Sequence, residues 1–271
     1  MHSLNSRNGC KNMKLSSILG PKPKAPINEK PIFLKNTFSG ELEEFHSIVP
    51  RKIRMYNCGP TVYDFPHIGN FRPYVFADVL RRVLEYNGYD IKQIINITDV
   101  GHLTSDADDG DDKVEKKAKE EGKEVSDIVS EVTKAFFADL KKLNARNIYT
   151  SFPKASDHIN EQIAFVKTLD EKGYAYKTSD GIYFDTSRFK NYGKLGNINI
   201  EGLKEGARVE ANSEKHNPTD FAIWKFSKEG ENRQQEWDSP WGTGFPGWHL
   251  ECSAMAMKHL GKRIDIHTGG I

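Results

Sequence analysis

The sequence predicts an α/β protein built around a parallel β-sheet, and three consecutive segments carry this prediction. "KIRMYNC" (52–58) and "DIKQIINI" (90–97) have the apolar, β-branched character of strands. Residues 71–87 between them predict an amphipathic helix, with Gly88 suited to its C-terminal cap. Strand, helix and strand with short connections form a βαβ unit, whose two strands run parallel. The residues predicted to form one buried stripe of this helix are Val75, Phe76, Val79, Leu80, Val83 and Leu84.

Composition and patterning divide the chain into four predicted regions. Residues 1–30, rich in Pro and Lys, predict a flexible N-terminal extension. Residues 31–114 predict the first half of the parallel-sheet domain, and residues 241–271 predict its second half. That second half is expected to be incomplete, because a strand ending in Gly-Gly normally continues into a crossover helix. Residues 115–240 predict a mixed helix and strand insertion that splits the domain.

The elements beyond the βαβ unit follow from local patterning. In chain order they are helices at 125–144 and 156–172, a strand at 181–189, a helix at 248–261 and a strand at 262–267.

The overall composition is typical of a globular protein, and its balanced charge favours no particular class of binding partner. The 271 residues carry 37% apolar and 28% charged side chains and a net charge of +1, which gives no global attraction to nucleic acid. Three cysteines, Cys10, Cys58 and Cys252, are too few for a disulfide scaffold, so a reducing cytoplasmic location is expected. No apolar run is long enough for a membrane span, and the N-terminus lacks a secretory signal.

Three chemically versatile residues lie where the predicted strands end. Cys58 ends the first strand, Thr98 follows the second, and His67 lies in the loop before the helix. Ligands of open parallel sheets bind at the carboxyl ends of strands, beside helix N-termini. We therefore expect these three side chains to face one pocket.

Five separated motifs carry a resemblance to a known family. "MYNCGPTVYDFPHIGNFRPYVFADVLRR", "NITDV", "NPTDFAIWK", "SPWGTGFPGWHLECSAM" and "IDIHTGG" resemble, in this order, the motifs of the cysteinyl-tRNA synthetases, a class I aminoacyl-tRNA synthetase family. The resemblance implies a Rossmann-type catalytic domain split by a connective insertion. It also implies that ATP with Mg²⁺ activates L-cysteine as cysteinyl-adenylate, and that the cysteinyl group then passes to tRNA(Cys).

The resemblance further implies one zinc ion per chain, which would bind the substrate thiol. Cys58 and Cys252 match two of its ligands, and both are expected to be thiolates near backbone N–H groups. A histidine and a glutamate of the family follow the "IDIHTGG" strand, beyond Ile271, as does the second ATP loop. We therefore expect this chain to be an N-terminal catalytic portion that is nearly inactive by itself. Two distant cysteines can also be buried apolar residues.

The resemblance assigns the remaining site residues by position. His67 and Asn70 of "HIGN" match the catalytic motif, although Asn70 replaces a histidine of the family; His67 would contact the ATP phosphates. From the residues alone, His67 could equally be a surface side chain, Thr98 a backbone cap, Trp248 core packing and His267 structural. The residues implied to bind substrate or ATP are Gly59, Thr61, Pro66, His67, Gly69, Asn70, Thr98, Trp248, His267 and Gly269.

Two other functions stay open at the level of sequence. One is a ligase that joins cysteine to the amine of a small sugar-like acceptor through the same adenylate. The other is a zinc-binding or cysteine-binding fragment without catalysis. For the leading function we expect a monomer with no membrane association.

Overall fold

A computed structural model describes residues 30–101, 112–145, 150–196, 213–228, 230, 233–248 and 250–269. The predicted extension before residue 30, Cys10 within it, and Gly270 of the "HTGG" motif lie outside the described residues. The chain opens with a short antiparallel hairpin of β1 (Phe33–Lys35) and β2 (Leu42–Glu44).

The predicted parallel sheet is confirmed. It has the order β4-β3-β9, formed by β3 (Lys52–Asn57), β4 (Asp90–Ile95) and β9 (Ile266–Thr268). Both pairings of β3 are parallel, so a strand from the end of the chain lies beside one from near its beginning. Parallel bridges from Ile94 to Ser151 and from Ile97 to Lys154 continue the pairing on the far side of β4.

Helix α1 (Ile68–Tyr86) connects β3 and β4, and it buries a different face from the predicted one. Val75, Phe76, Val79 and Val83 are between 37% and 58% exposed, so the predicted buried stripe is wrong for all but its leucines. The opposite face has the same helical spacing and packs inward instead. Its buried members are Phe71, Tyr74, Ala77, Asp78, Arg81 and Leu84.

Two charged residues on the buried face misled the prediction. Arg81 Nη2 lies 2.5 Å from Asp78 Oδ1, and Arg81 Nη1 lies 2.5 Å from Glu85 Oε2. Because each charge has a hydrogen-bonded partner of opposite sign, burial leaves neither one uncompensated. A pattern that counts only apolar residues cannot detect such a pair.

Helices α2 (Lys113–Glu121) and α3 (Val125–Lys142) pack against this parallel-sheet unit. Phe136 of α3 stacks on Phe71 of α1 with ring centroids 5.7 Å apart, and both belong to one apolar cluster with residues of β4. Helices α2 and α3, which lie at the start of the predicted insertion, therefore share an apolar cluster with α1 and β4.

The middle of the chain forms an antiparallel sheet in the order β5-β6-β7-β8. Its strands follow α4 (Ile159–Glu171) and precede α5 (Leu250–Leu260), and one apolar cluster joins this sheet, α5 and the parallel sheet. The four strands are β5 (Ala175–Lys177), β6 (Gly181–Phe184), β7 (Phe221–Phe226) and β8 (Gly244–Pro246).

Two predicted strands are shorter than expected, and in both cases an aspartate is responsible. The strand predicted at 181–189 ends at Phe184, because Asp185 caps a 3₁₀ turn by accepting from Ser187 N. The strand predicted at 262–267 begins only at Ile266, because Asp265 accepts from the backbone N–H groups of Ile48 and Arg54. Among the described residues, no helix combines the length and apolar character required to cross a bilayer.

A histidine pair joins α4 to α5. His158, in the 3₁₀ turn Ser156–His158 before α4, places Nδ1 2.8 Å from Lys154 O, and its Nε2 lies 2.9 Å from His259 Nε2. The carbonyl can only accept, so the His158 proton is on Nδ1 and its Nε2 accepts from His259 Nε2–H. The surrounding charged groups are Lys92, whose ammonium donates to His259 O, and the ion pair of Lys258 with Glu161.

This pair predicts a pH dependence of stability. Burial, followed by repulsion from His158 and nearby lysines, lowers the pKa of His259 below its ordinary value of 6.5. The unfolded chain thus binds the proton more readily, and stability is lost as the pH falls from 6.5 through the lowered pKa. We expect the midpoint urea concentration of unfolding to decrease when the pH is lowered from 7.5 to 5.5. The decrease should be smaller in His259→Gln, which keeps the hydrogen-bond donor but does not titrate. Equal slopes for both proteins would contradict this prediction.

Candidate active site at the carboxyl edge of the parallel sheet

The two predicted metal-binding cysteines lie together. Cys58 directly follows β3, Cys252 lies in the first turn of α5, and their Sγ atoms are 3.8 Å apart without a disulfide. His267 of β9 places Nε2 3.4 Å from Cys58 Sγ. The backbone N–H of Cys58 donates to Thr268 O at 2.9 Å, so the pairing of β3 with β9 fixes this arrangement. His267, assigned from the sequence to the nucleotide, is thus a neighbour of the sulfurs.

Asn96 supports the loop after β3, and sequence reasoning did not identify it. Its side chain is fully buried; Oδ1 accepts from Gly59 N at 2.8 Å, and Nδ2 donates to Thr98 Oγ1 at 2.9 Å. Cys252 Sγ lies 3.7 Å from the same Oδ1. A Cβ at position 59 would lie 1.4 Å from Asn96 O, so only glycine fits. The sequence offered only an amide residue in "NITD", at the end of a predicted strand.

Thr98 lies on the same edge, as predicted from its place after β4. It is buried, its backbone N donates to Pro60 O at 2.9 Å, and Thr61 pairs with it in a parallel bridge. Its Oγ1 lies 3.5 Å from Oε1 of Glu251, a buried carboxylate that precedes Cys252. Sequence reasoning also missed Glu251, although its position beside Cys252 in "HLEC" could have indicated it.

The protonation of Cys252 differs from the sequence-based expectation. A hydrogen bond to Cys58, burial and the nearby Glu251 carboxylate raise the pKa of the Cys252 thiol well above its ordinary value, which favours the thiol over the thiolate while no metal is bound. Tyr56 lies beside it; burial, followed by the interaction with Cys252, raises the pKa of the Tyr56 hydroxyl. A cation would reverse this situation, because thiolates are its ligands.

His67 and Asn70 meet at the N-terminus of α1. His67 is the N-cap: its Nδ1 accepts from Gly69 N at 3.1 Å, and its own N donates to Asn70 Oδ1 at 3.0 Å. Both side chains are exposed. Since Nδ1 is an acceptor, the neutral ring carries its proton on Nε2. A Cβ at Gly69 would lie 2.9 Å from the His67 ring, so the glycine here makes room for the histidine.

The other predicted substrate-binding residues are partly or fully exposed. Thr61, Pro66 and Trp248 are half-buried, and Trp248 lies between β8 and α5, four positions before Cys252. Gly269 follows β9 and is exposed, and a Cβ there would meet nothing within 4 Å.

The sulfur pair has the dimensions of half a zinc site. With Zn–S bonds of about 2.3 Å, two sulfurs of a tetrahedral site lie about 3.8 Å apart. The Cys58–Cys252 separation of 3.8 Å agrees with this value. The described residues nevertheless contain no group of three or more His, Cys, Asp or Glu side chains placed to hold a metal ion. Cys58 and Cys252 therefore fit as two ligands of an incomplete set.

Comparison with known proteins gives a consistent result. Residues 44–271 match the family described as "tRNA synthetases class I (C) catalytic domain". The chain is 54% identical over 240 residues to Cysteine–tRNA ligase 1 of Burkholderia lata, covering 89% of this chain and 51% of the relative. It is 51% identical to the cysteine–tRNA ligase of Zymomonas mobilis, covering 92% and 47%, and 51% identical to that of Treponema denticola, covering 88% and 48%.

This chain thus spans about half the length of these curated relatives. The match to the family covers both cysteines, the His67 loop and all three parallel strands. The chain therefore belongs to the class I (C) tRNA synthetase catalytic domain family, as its five motifs predicted.

Proposed function

We propose that this chain is the catalytic portion of a cysteine–tRNA ligase. Such an enzyme activates L-cysteine with ATP and Mg²⁺ and transfers the cysteinyl group to tRNA(Cys). The observation that carries the proposal is the pair of cysteine sulfurs 3.8 Å apart at the carboxyl end of β3, the strand that leads into the His67 loop. Relatives about 50% identical and named cysteine–tRNA ligases support it.

Recognition of the substrate is assigned to the sulfur pair. Zinc held by Cys58 and Cys252 would supply a soft Lewis acid that binds the thiolate of cysteine far better than the hydroxyl of serine. An apolar pocket alone separates near-isosteres by only about 10–200-fold. Thr98, buried on the same edge, is placed to orient the rest of the amino acid. Trp248, before α5, is assigned to the wall of the cysteine pocket.

Activation of the carboxylate is assigned to the His67 loop. When the cysteine carboxylate attacks the α-phosphorus of ATP, a bond forms to phosphorus, pyrophosphate leaves, and negative charge grows on the phosphate oxygens. His67 uses Nδ1 to cap α1, which leaves Nε2–H as its donor to those oxygens. Asn70 fixes the His67 backbone, so its role is one of positioning. Gly269 leaves open space beside β9 for the nucleotide.

The test uses a fused ligase: this chain followed by the part of the Burkholderia lata relative that lies beyond the match. We expect L-cysteine-dependent ATP–pyrophosphate exchange and charging of tRNA(Cys), and no exchange with L-serine. His67→Asn keeps an N-cap but removes the distal N–H, so kcat should fall by about 10²–10³-fold. His46→Ala removes another exposed histidine and should leave kcat unchanged.

Three results would overturn this proposal. The first is full activity of His67→Asn. The second is a fused ligase without exchange, when the unmodified relative is active in the same assay. The third is consumption of an amino-sugar acceptor in place of tRNA, which would support the alternative ligase.

A further inference from the structure

One face of α1 is an exposed apolar stripe that runs the length of the helix. Its members lie at helical spacing and are between 37% and 76% exposed, and the exposed charged residues beside them are Arg72 and Arg82. We call these residues the α1 stripe: Ile68, Val75, Phe76, Val79, Val83 and Tyr86.

Such a stripe is unusual for a surface helix. Single exposed apolar residues are normal, but a contiguous set indicates a surface that something covers. The opposite face of α1 is already buried against the chain's own core. A helix that is apolar on both faces has the pattern of one buried between two layers. This pattern explains why its sequence predicts burial for residues that are exposed here.

The comparisons give the length of polypeptide from which a cover for this second side can come. The chain spans about half of each relative, so a whole ligase contains a comparable length of polypeptide that this chain does not match. Parallel sheets occur almost only with both faces covered by helices. Here the sheet has three named strands, and β9, at one end of the order, is paired to β3.

We propose that the α1 stripe is the docking surface for the apolar face of the remaining half of the ligase. This inference rests on the proposed function, because cysteine–tRNA ligases define that remaining half. The interface would bury the outer face of the helix that His67 caps, so the unmatched half would also hold the catalytic loop in position. A second copy of this chain is the competing occupant, and the experiment separates the two.

The experiment measures access to the stripe. Val79→Cys, and separately the control Leu42→Cys on β2, which is 67% exposed, are introduced into this chain and into the fused ligase. Maleimide labelling at each position is followed by peptide mass spectrometry. We expect Val79→Cys to react at least about tenfold more slowly in the fused ligase than in the chain alone. Leu42→Cys should react equally in both.

Equal reactivity of Val79→Cys in both proteins would overturn the inference. Protection in the chain alone that disappears on dilution would also overturn it, since a second copy would then cover the stripe. Val79→Glu gives an independent check: it should leave the Tm of the chain alone unchanged and lower that of the fused ligase. Maleimide labelling does not depend on catalysis. If Val79→Cys were protected from labelling in a fused ligase without activity, this inference would be supported and the proposed function contradicted.

Discussion

Cys58→Ser is expected to abolish stoichiometric zinc binding by the fused ligase. Cys58 Sγ lies 3.8 Å from Cys252 Sγ and 3.4 Å from His267 Nε2, so its loss removes the atom common to both contacts. Removing only the supporting partner of a metal ligand typically costs 10–100-fold in affinity. Loss of a sulfur ligand itself should therefore cost at least about 100-fold. Cysteine activation by the fused ligase should fall with it.

Metal analysis after dialysis checks this prediction directly. Cobalt substitution adds a second readout, because a sulfur–cobalt charge-transfer band appears only when thiolate binds. Cys10→Ser is the matched control, since it removes a cysteine from the predicted N-terminal extension. The zinc assignment fails if Cys58→Ser retains one zinc per chain, or if Cys10→Ser loses it.

The protonation of Cys252 predicts the direction in which zinc affinity changes with pH. Its pKa is raised by hydrogen bonding to Cys58 and by burial, so the metal-free thiol is protonated at neutral pH. A metal must displace that proton, and apparent affinity should therefore weaken as the pH falls.

Much of this site could be predicted because parallel-sheet topology is strongly constrained. Once Cys58 and Thr98 follow adjacent parallel strands, they must lie on one edge. Cys252 joined them through the resemblance, and the structure brings its sulfur to Cys58. Asn96 could not be predicted in the same way. Its role depends on how closely the Gly59 backbone approaches it, and no pattern in either segment encodes that distance.

The faces of α1 show what hydrophobic periodicity could not predict. Its sequence has two sets of residues at helical spacing, and the more apolar set is the one left exposed. The buried set includes Asp78 and Arg81, a pair at i, i+3 spacing that a pattern of apolar residues does not count. Periodicity therefore identified the helix correctly but not the face that meets this chain's core.

Gly59→Ala is expected to be among the most damaging single substitutions in this chain. The new Cβ would lie 1.4 Å from Asn96 O and 2.5 Å from Asn96 C, and both are backbone atoms that cannot rotate away. Overpacking typically costs 1–3 kcal/mol and occasionally more, so a backbone collision of this size should cost about 3 kcal/mol or more. The loop must move, and the adjacent Cys58 must move with it, so zinc affinity should fall in parallel.

Gly269→Ala provides the matched control on the same edge of the sheet. Its Cβ meets nothing within 4 Å, so unfolding free energy should change by less than about 0.5 kcal/mol. Urea unfolding of this chain and zinc content of the fused ligase, measured for both variants, separate a displaced loop from a merely weakened fold. If Gly59→Ala and Gly269→Ala have the same unfolding free energy and the same zinc content, then the hydrogen bond from Gly59 N to Asn96 does not hold the Cys58 sulfur in place. The geometry from which the zinc site is argued would then lose its support.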